Sequence, residues 1–214
     1  MMNKKRIGIL GGTFSPVHRG HIELGLKTLE IFDLDKILYI LSAHPPHKQG
    51  KKVISAQLRW EMLKKALKPF KKLIPSNIEL KRANYSWTID TISTLKKLYP
   101  DDILFFLSGS EGFLKIKTWK SYKKLLKTIN FIVALRTDKQ KSDVTALLDS
   151  ESIKYSFNSK ELSNIPVVYI YAYDSPLLSL SSTQIREMIR NGKPLDNLVT
   201  EDVKTFITEH KLYE

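Results

Sequence analysis

The feature that most constrains this chain is its alternation of short apolar runs with longer segments of helical spacing. Lys5 to Leu10, Lys36 to Leu41, Asp102 to Leu107, Ile129 to Leu135 and Val167 to Tyr171 are runs of strand length, rich in aliphatic and aromatic residues. Leu73 to Leu80 reads as a further strand. Between them stand amphipathic segments. His18 to Phe32 is one, and Gln57 to Leu67 carries Leu58, Met62, Leu63 and Leu67 on one face. Thr88 to Tyr99 keeps Ile89, Ile92, Leu95 and Leu98 in register, and a shorter helix is expected over Lys120 to Lys127. Strands that alternate with helices imply right-handed crossovers and an α/β fold, a doubly wound, mostly parallel sheet with helices on both faces. Two more helices, about Ser182 to Asn191 and Thr200 to His210, close the chain. Asp138 to Ile165 is polar, with a helix expected near Ser142 to Ser150. No Pro/Gly/Ser linker and no internal repeat interrupts the pattern, so residues 1–214 are expected to form one domain, with the C-terminal helices beginning near 182.

Composition narrows the class. At 42% hydrophobic and 27% charged, the chain has the make-up of an ordinary globular protein. No apolar run approaches the roughly 18 residues of a membrane span. The basic start Asn3-Lys4-Lys5-Arg6 leads into an apolar stretch too short for an export signal, and there are 0 cysteines to form disulfides or thiolate sites. A cytoplasmic location is therefore expected, with no membrane partner. The net charge of +13 attracts polyanions in general. Yet the lysine doublets, such as Lys64-Lys65, Lys71-Lys72, Lys96-Lys97 and Lys123-Lys124, are dispersed along helical segments as a solvated face would be. No Arg-rich tail or aromatic-basic repeat accompanies them, so no dedicated nucleic-acid partner is expected.

In such sheets, ligands bind beyond the carboxyl ends of the strands, where strand order reverses. The turn after the first strand reads Gly11-Gly12-Thr13-Phe14-Ser15-Pro16-Val17-His18-Arg19-Gly20-His21. Glycines there let backbone N–H groups approach a phosphate, and the helix that follows favours an anion at its N-terminus. The turn matches neither a P-loop nor the G-x-G-x-x-G dinucleotide pattern. His18 and His21, at i and i+3, share a face and can donate to phosphate oxygens, with Gly20 leaving room for a ligand against the backbone. The plainer reading is two unrelated surface histidines. A zinc site using His44 and His47 is a second rival, although no HExxH or Asp/His cluster accompanies them.

Late in the chain, Leu180-Ser181-Ser182-Thr183-Gln184-Ile185-Arg186 precedes a helix, where hydroxyls and free N–H groups offer either a helix cap or a second anion contact. Arg186 is placed to aim a bidentate fork at phosphate. Together, the Gly-Gly-Thr-Phe-x-Pro-x-His-x-Gly-His turn and the Ser-Ser-Thr-x-Ile-Arg turn resemble the nucleotidyltransferase superfamily with the HxGH signature. Pro45-Pro46-His47-Lys48, Arg59 with Met62-Leu63, Tyr85-Ser86-Trp87-Thr88-Ile89-Asp90-Thr91, Trp119 and the ending Val203 through Tyr213 are similar to its nicotinate-nucleotide adenylyltransferase branch, in that order along nearly the whole chain.

The resemblance implies a Rossmann-like fold and direct transfer of AMP from ATP, taken with Mg2+, to nicotinate mononucleotide, giving nicotinate adenine dinucleotide and pyrophosphate in NAD biosynthesis. It implies that His18, His21, Lys48 and Arg186 surround the ATP phosphates. Gly11, Gly12, Thr13 and Phe14 would form the phosphate turn, with Ser181, Ser182 and Thr183 on the adenosine and phosphate side. Gly109 and Glu111 would take the ribose, and Thr88 and Trp119 the nicotinate ring. ATP and nicotinate mononucleotide are the expected partners, and a homo-oligomer is compatible with this reading. Two positions depart from the family's pattern. Ser15 stands where Asp or Asn is usual, and Glu111 replaces an Asp, carrying its carboxylate one methylene further out. Two other readings stay open at this level: a phosphopantetheine or choline-phosphate nucleotidyltransferase, and a basic, non-catalytic nucleotide- or RNA-binding protein on the same fold.

Overall fold

A computed structural model describes residues 4–45, 53–82, 85–135, 137–160 and 165–214. Among the described residues, seven strands form one sheet in the order β3-β2-β1-β4-β5-β7-β6. They are β1 (Arg6–Gly12), β2 (Lys36–Leu41), β3 (Leu73–Ser76), β4 (Ile103–Gly109), β5 (Asn130–Leu135), β6 (Tyr155–Ser156) and β7 (Val168–Ala172). The helices are α1 (Arg19–Ile31), α2 (Ala56–Leu67), α3 (Thr88–Leu98), α4 (Ser110–Phe113), α5 (Tyr122–Leu126), α6 (Asp138–Ser150), α7 (Ser182–Arg190) and α8 (Glu201–Glu209). β1 pairs with β4 in parallel (Leu10↔Leu107), β4 with β5 (Leu107↔Ile132) and β5 with β7 (Ile132↔Tyr169). Strand order therefore reverses between β1 and β4, as a doubly wound sheet requires. β4 and β5 are buried on both faces over most of their length, which is why they read as continuous apolar runs instead of alternating ones.

Local sequence sets the boundaries. β3 ends at Ser76, short of the expected Leu80, because Pro75 removes a ladder donor. The chain then turns, with Leu80 N–H donating to the Asn77 carbonyl (2.9 Å). α6 starts at Asp138, ahead of the expected Ser142, because Thr137 caps it by accepting from Gln140 N–H. β6 has two residues, too few to show a period in the sequence.

Contact density groups the residues into two units whose division falls within β1, α1 and β2. The first comprises Met1–Leu10, Lys27–Ile37 and Trp87–Asp174. Its core is aromatic: Phe131 packs against Phe106 and Phe113 (both 5.5 Å between centroids), and Phe32 meets Tyr169 edge-on. The second comprises Gly11–Leu26, Leu38–Ser86 and Ser175–Glu214, with Phe14, Tyr39, Met62, Leu63, Ile185 and Val203 buried and α2 packed on α8.

Candidate active site

The second unit contains both halves of the sequence signature. β1 ends at Gly12, where a Cβ would lie 2.8 Å from the Phe14 ring, so only glycine fits. Phe14 has a left-handed backbone (φ 47°), unusual for an aromatic residue and stable only where its surroundings hold it. Its ring is 2% exposed, edge-on to His21 (5.1 Å) and tilted against Tyr39 (5.9 Å). Phe14 thus supports the turn from beneath, which leaves its backbone, not its ring, for any ligand. The Ser15–Pro16 bond is cis.

His18 and His21 come together as their spacing predicted, with ring centroids 3.6 Å apart. The His18 backbone N–H donates to His21 Nδ1 (3.2 Å), so a neutral His21 ring carries its proton on Nε2. The Tyr39 hydroxyl, rising from β2, donates to the His21 carbonyl (2.8 Å) and seats the start of α1. Gly20 has a structural reason that the sequence did not disclose. A Cβ there would lie 2.7 Å from the Leu177 carbonyl oxygen and 3.1 Å from His18 Nδ1. Its room is taken by the chain itself, where the sequence reading left it to a ligand.

The late motif closes on this turn. Ser181 caps α7 in a reciprocal capping box with Gln184. The Ser182 hydroxyl donates to the Pro16 carbonyl across 166 positions of sequence (2.9 Å). Arg186 donates through Nη1 to the Ser15 carbonyl (2.7 Å), which braces the turn, and through Nη2 to Thr183 Oγ1 (3.0 Å) within α7 itself. Just upstream, the Ser175 hydroxyl donates to the Glu23 carboxylate and accepts from Leu177 N–H (3.1 Å), tying the approach to α7 onto α1.

Two residues at the same turn were not assigned a role from sequence. Arg59, 2% exposed, donates to the carbonyls of Thr13 (2.9 Å), Ser42 (2.7 Å), Ala43 (3.1 Å) and Ile54 (3.1 Å). Its signal was legible: a cation beside Leu58, Met62 and Leu63 on the apolar face of a helix. Burial holds its guanidinium below the ordinary value, against the pull of the neighbouring Tyr213 phenol. The Tyr213 hydroxyl meets Ser15 Oγ (3.2 Å), and burial pushes the phenol up to about 12.

The first unit holds the remaining candidates. β4 ends at Gly109, where a Cβ would meet nothing within 4 Å, and Glu111 is exposed in the first turn of α4. Between them, buried Ser110 donates to Gln140 Oε1 (2.6 Å), fixing this corner to α6. Thr88 opens α3, whose N-cap, Trp87, makes no side-chain capping bond. Trp119 is half-buried and edge-on to Phe106 (5.6 Å). Lys120, which the sequence reading passed over, pairs with Asp90 of the first turn of α3 (3.1 Å) and lies over the Trp87 ring (5.8 Å), joining the Thr88 and Trp119 regions. Lys48 and His47 lie outside the described residues. Among the described residues, no group of three or more His, Cys, Asp or Glu could hold a metal ion, and no helix is long and apolar enough to cross a membrane.

A doubly wound sheet with a glycine-rich HxGH turn at its first strand, locked to a Ser-Ser-Thr-x-Ile-Arg helix start, defines a nucleotidyltransferase. The cytidylyltransferase-like family model matches residues 9–188. Over its whole length, the chain is similar to bacterial proteins named "Probable nicotinate-nucleotide adenylyltransferase". One, from Thermoanaerobacter sp. (strain X514), is 36% identical over 220 residues, covering 100% of this chain and 97% of the relative. Another, from Desulfitobacterium hafniense (strain DSM 10664 / DCB-2), is 34% identical over 209 residues, covering 98% and 96%. The chain belongs to the nicotinate-nucleotide adenylyltransferase family. The fold is also that of the Plasmodium falciparum nicotinic acid mononucleotide adenylyltransferase solved with NaAD, at 18% identity and a TM-score of 0.77 over 98% of this chain and 97% of that one.

Proposed function

We propose that this chain transfers AMP from ATP to the 5′-phosphate of nicotinate mononucleotide, releasing pyrophosphate. The observation that carries this reading is the pair of bonds from Ser182 and Arg186 to the Pro16 and Ser15 carbonyls, which unite the two halves of the family's signature into one backbone cradle. An oxygen of the acceptor's phosphate attacks the α-phosphorus of ATP in line, the bond from that phosphorus to the β-phosphate oxygen breaks, and pyrophosphate departs. The attacking oxygen is already anionic, so no general base is required. The chain's task is to hold two polyanions in line and to stabilise the charge that develops on the transferring group.

ATP enters as its magnesium complex, the ion arriving as part of the substrate. The N–H groups of Gly11, Gly12, Thr13 and Phe14 face phosphate, and His18 and His21 donate to its oxygens. Lys48 adds positive charge. Arg186 braces the turn and turns its remaining donors to phosphate, while Ser181, Ser182 and Thr183 line the adenosine side. Gly109 and Glu111 receive the ribose, with Glu111 the acceptor for its hydroxyls. Thr88 and Trp119 hold the nicotinate ring. A cytoplasmic location, a single domain and nucleotides as the working partners belong to the same proposal. The test is to incubate the protein with ATP, magnesium and a series of acceptors, including nicotinate mononucleotide, phosphopantetheine and choline phosphate, and to measure pyrophosphate. Release that depends on nicotinate mononucleotide is expected. Release with another acceptor only, or none from folded protein, overturns the reading.

A further inference from the structure

Arg59 belongs to neither half of the signature and touches no position expected to meet substrate through a side chain. It is nevertheless the largest fully buried side chain among the described residues. Its four hydrogen bonds all end on backbone carbonyls: Nη1 on Thr13 and Ser42, Nη2 on Ala43 and Nε on Ile54. Among the described residues, no carboxylate pairs with it. Packing alone does not call for such a residue, because an apolar side chain of similar volume avoids the cost of desolvating a charge. What the guanidinium supplies is geometric. Thr13 lies in the turn after β1, Ser42 and Ala43 in the loop after β2, and Ile54 at the approach to α2. One planar fork spans all three segments, reinforced by Ser42 N–H donating to the Gly12 carbonyl (2.8 Å). An ammonium, with its donors on a single nitrogen, cannot reach acceptors spread along both edges of a fork.

We propose that Arg59 is a positioning residue for adenylyl transfer, fixing the backbone of the phosphate turn against the loop after β2 through the shape of its guanidinium. This rests on the adenylyl-transfer reading above. Because displacing a reacting group by about 1 Å can cost on the order of 10²-fold in rate, the effect belongs in turnover and in the use of ATP. The acceptor's KM should be left nearly unchanged.

The experiment compares wild type with Arg59→Lys and Arg59→Gln, at a temperature where circular dichroism shows each folded. Both variants are expected to lose at least tenfold in kcat, with KM for nicotinate mononucleotide within about threefold of wild type. Arg59→Lys, which keeps the charge, should not rescue. Recovery of wild-type kcat by Arg59→Lys would show that charge alone suffices, and a loss that merely follows the folded fraction would reduce Arg59 to a stability role. Either result overturns the proposal. Hydrogen exchange of the wild-type protein gives a second reading that no folding failure can obscure. On addition of magnesium and a non-hydrolysable ATP analogue, the amides of residues 13–15 and 42–44 should gain protection together. Protection confined to 13–15 would refute the coupling. If wild type binds the analogue but transfers nothing to nicotinate mononucleotide, the acceptor assignment fails, and the exchange result still decides for or against Arg59.

Discussion

Replacing Gly20 by alanine tests the geometry of the HxGH turn most directly. The added Cβ would sit 2.7 Å from the Leu177 carbonyl oxygen, where ordinary contact begins at 3.4 Å. The obstacle is backbone, so the clash is not relieved by swinging a side chain aside. Either α1 moves away from the segment at Leu177 by several tenths of an ångström, or the bonds that hold that segment, Ser175 to Glu23 and Ser182 to Pro16, must stretch. The same Cβ lies 3.1 Å from His18 Nδ1, so the imidazole shifts as well. Overpacking of this kind typically costs about 1–3 kcal/mol. For a chain of this size, that is a fall in Tm of about 2–12 °C. Displacing His18 adds a kinetic penalty on the order of 10- to 100-fold in kcat. Gly109→Ala is the control, because nothing stands within 4 Å of its Cβ position. It should leave Tm within about 2 °C of wild type. Thermal unfolding and steady-state pyrophosphate release measure both variants. A Gly20→Ala protein with wild-type Tm and kcat would refute the close approach to Leu177, and with it the account of why glycine stands between the histidines.

Truncating His18 or His21 to alanine should lower kcat by about 10²-fold or more, measured as pyrophosphate release, and normal turnover would remove that residue from the site. Ser182→Ala leaves the Pro16 carbonyl without its side-chain donor and should destabilise by about 1 kcal/mol in urea unfolding. Tyr213 keeps its proton in the fold until about pH 12, against 10.0 for the ordinary phenol, so the native state binds more protons in that window and stability falls as pH rises through it. Tyr213→Phe should lose less stability than wild type between about pH 9 and about pH 11, and equal losses would contradict the shift. Nicotinate mononucleotide should be preferred to its amide by roughly tenfold to a hundredfold in kcat/KM, because the uncapped first turn of α3 presents N–H donors that suit a carboxylate and mispair with an NH₂ group.

Elements with a strong physical signature were legible in the sequence. The central strands β4 and β5 announce themselves because both faces are buried, and α2 and α3 because one face is. The histidine pair followed from the helical spacing, and the early and late turns from their residue types. What stayed hidden are interactions whose acceptors are backbone carbonyls. Every residue has a carbonyl, so nothing in the letters at Thr13, Ser15, Pro16 or Leu177 marks them as partners of Arg59, Arg186, Ser182 or the space at Gly20. Arg59 stood out as a match to the family branch and as a charge in an apolar stripe, and neither sign names its partners. Tyr213 closes a matched C-terminal stretch, but nothing near it in sequence points to Ser15, 198 positions away.

These hidden bonds have a common direction. The carbonyl of Gly12 accepts from Ser42 N–H, Thr13 from Arg59, Ser15 from Arg186 and Pro16 from Ser182. A peptide unit cannot flip without breaking the bond at its carbonyl, so engaging the Gly12, Thr13 and Pro16 carbonyls also fixes the N–H groups of Thr13, Phe14 and Val17, while the Ser15 unit, joined to Pro16, carries no N–H. In the proposed reaction, a turn held this way would meet a polyphosphate without reorganising, which is the condition under which backbone dipoles stabilise developing charge most effectively. Three of the four anchors are side chains from outside the turn: one from α2 and two from α7. On the proposed function, that accounts for a signature written in distant pieces: the glycines and histidines would form the cradle, Ser182 and Arg186 would keep it in shape, and Arg59 would add a brace from outside both halves. It also accounts for how Phe14 can hold a left-handed backbone at the centre of the turn, where relaxation would require the anchored carbonyls on either side of it to let go.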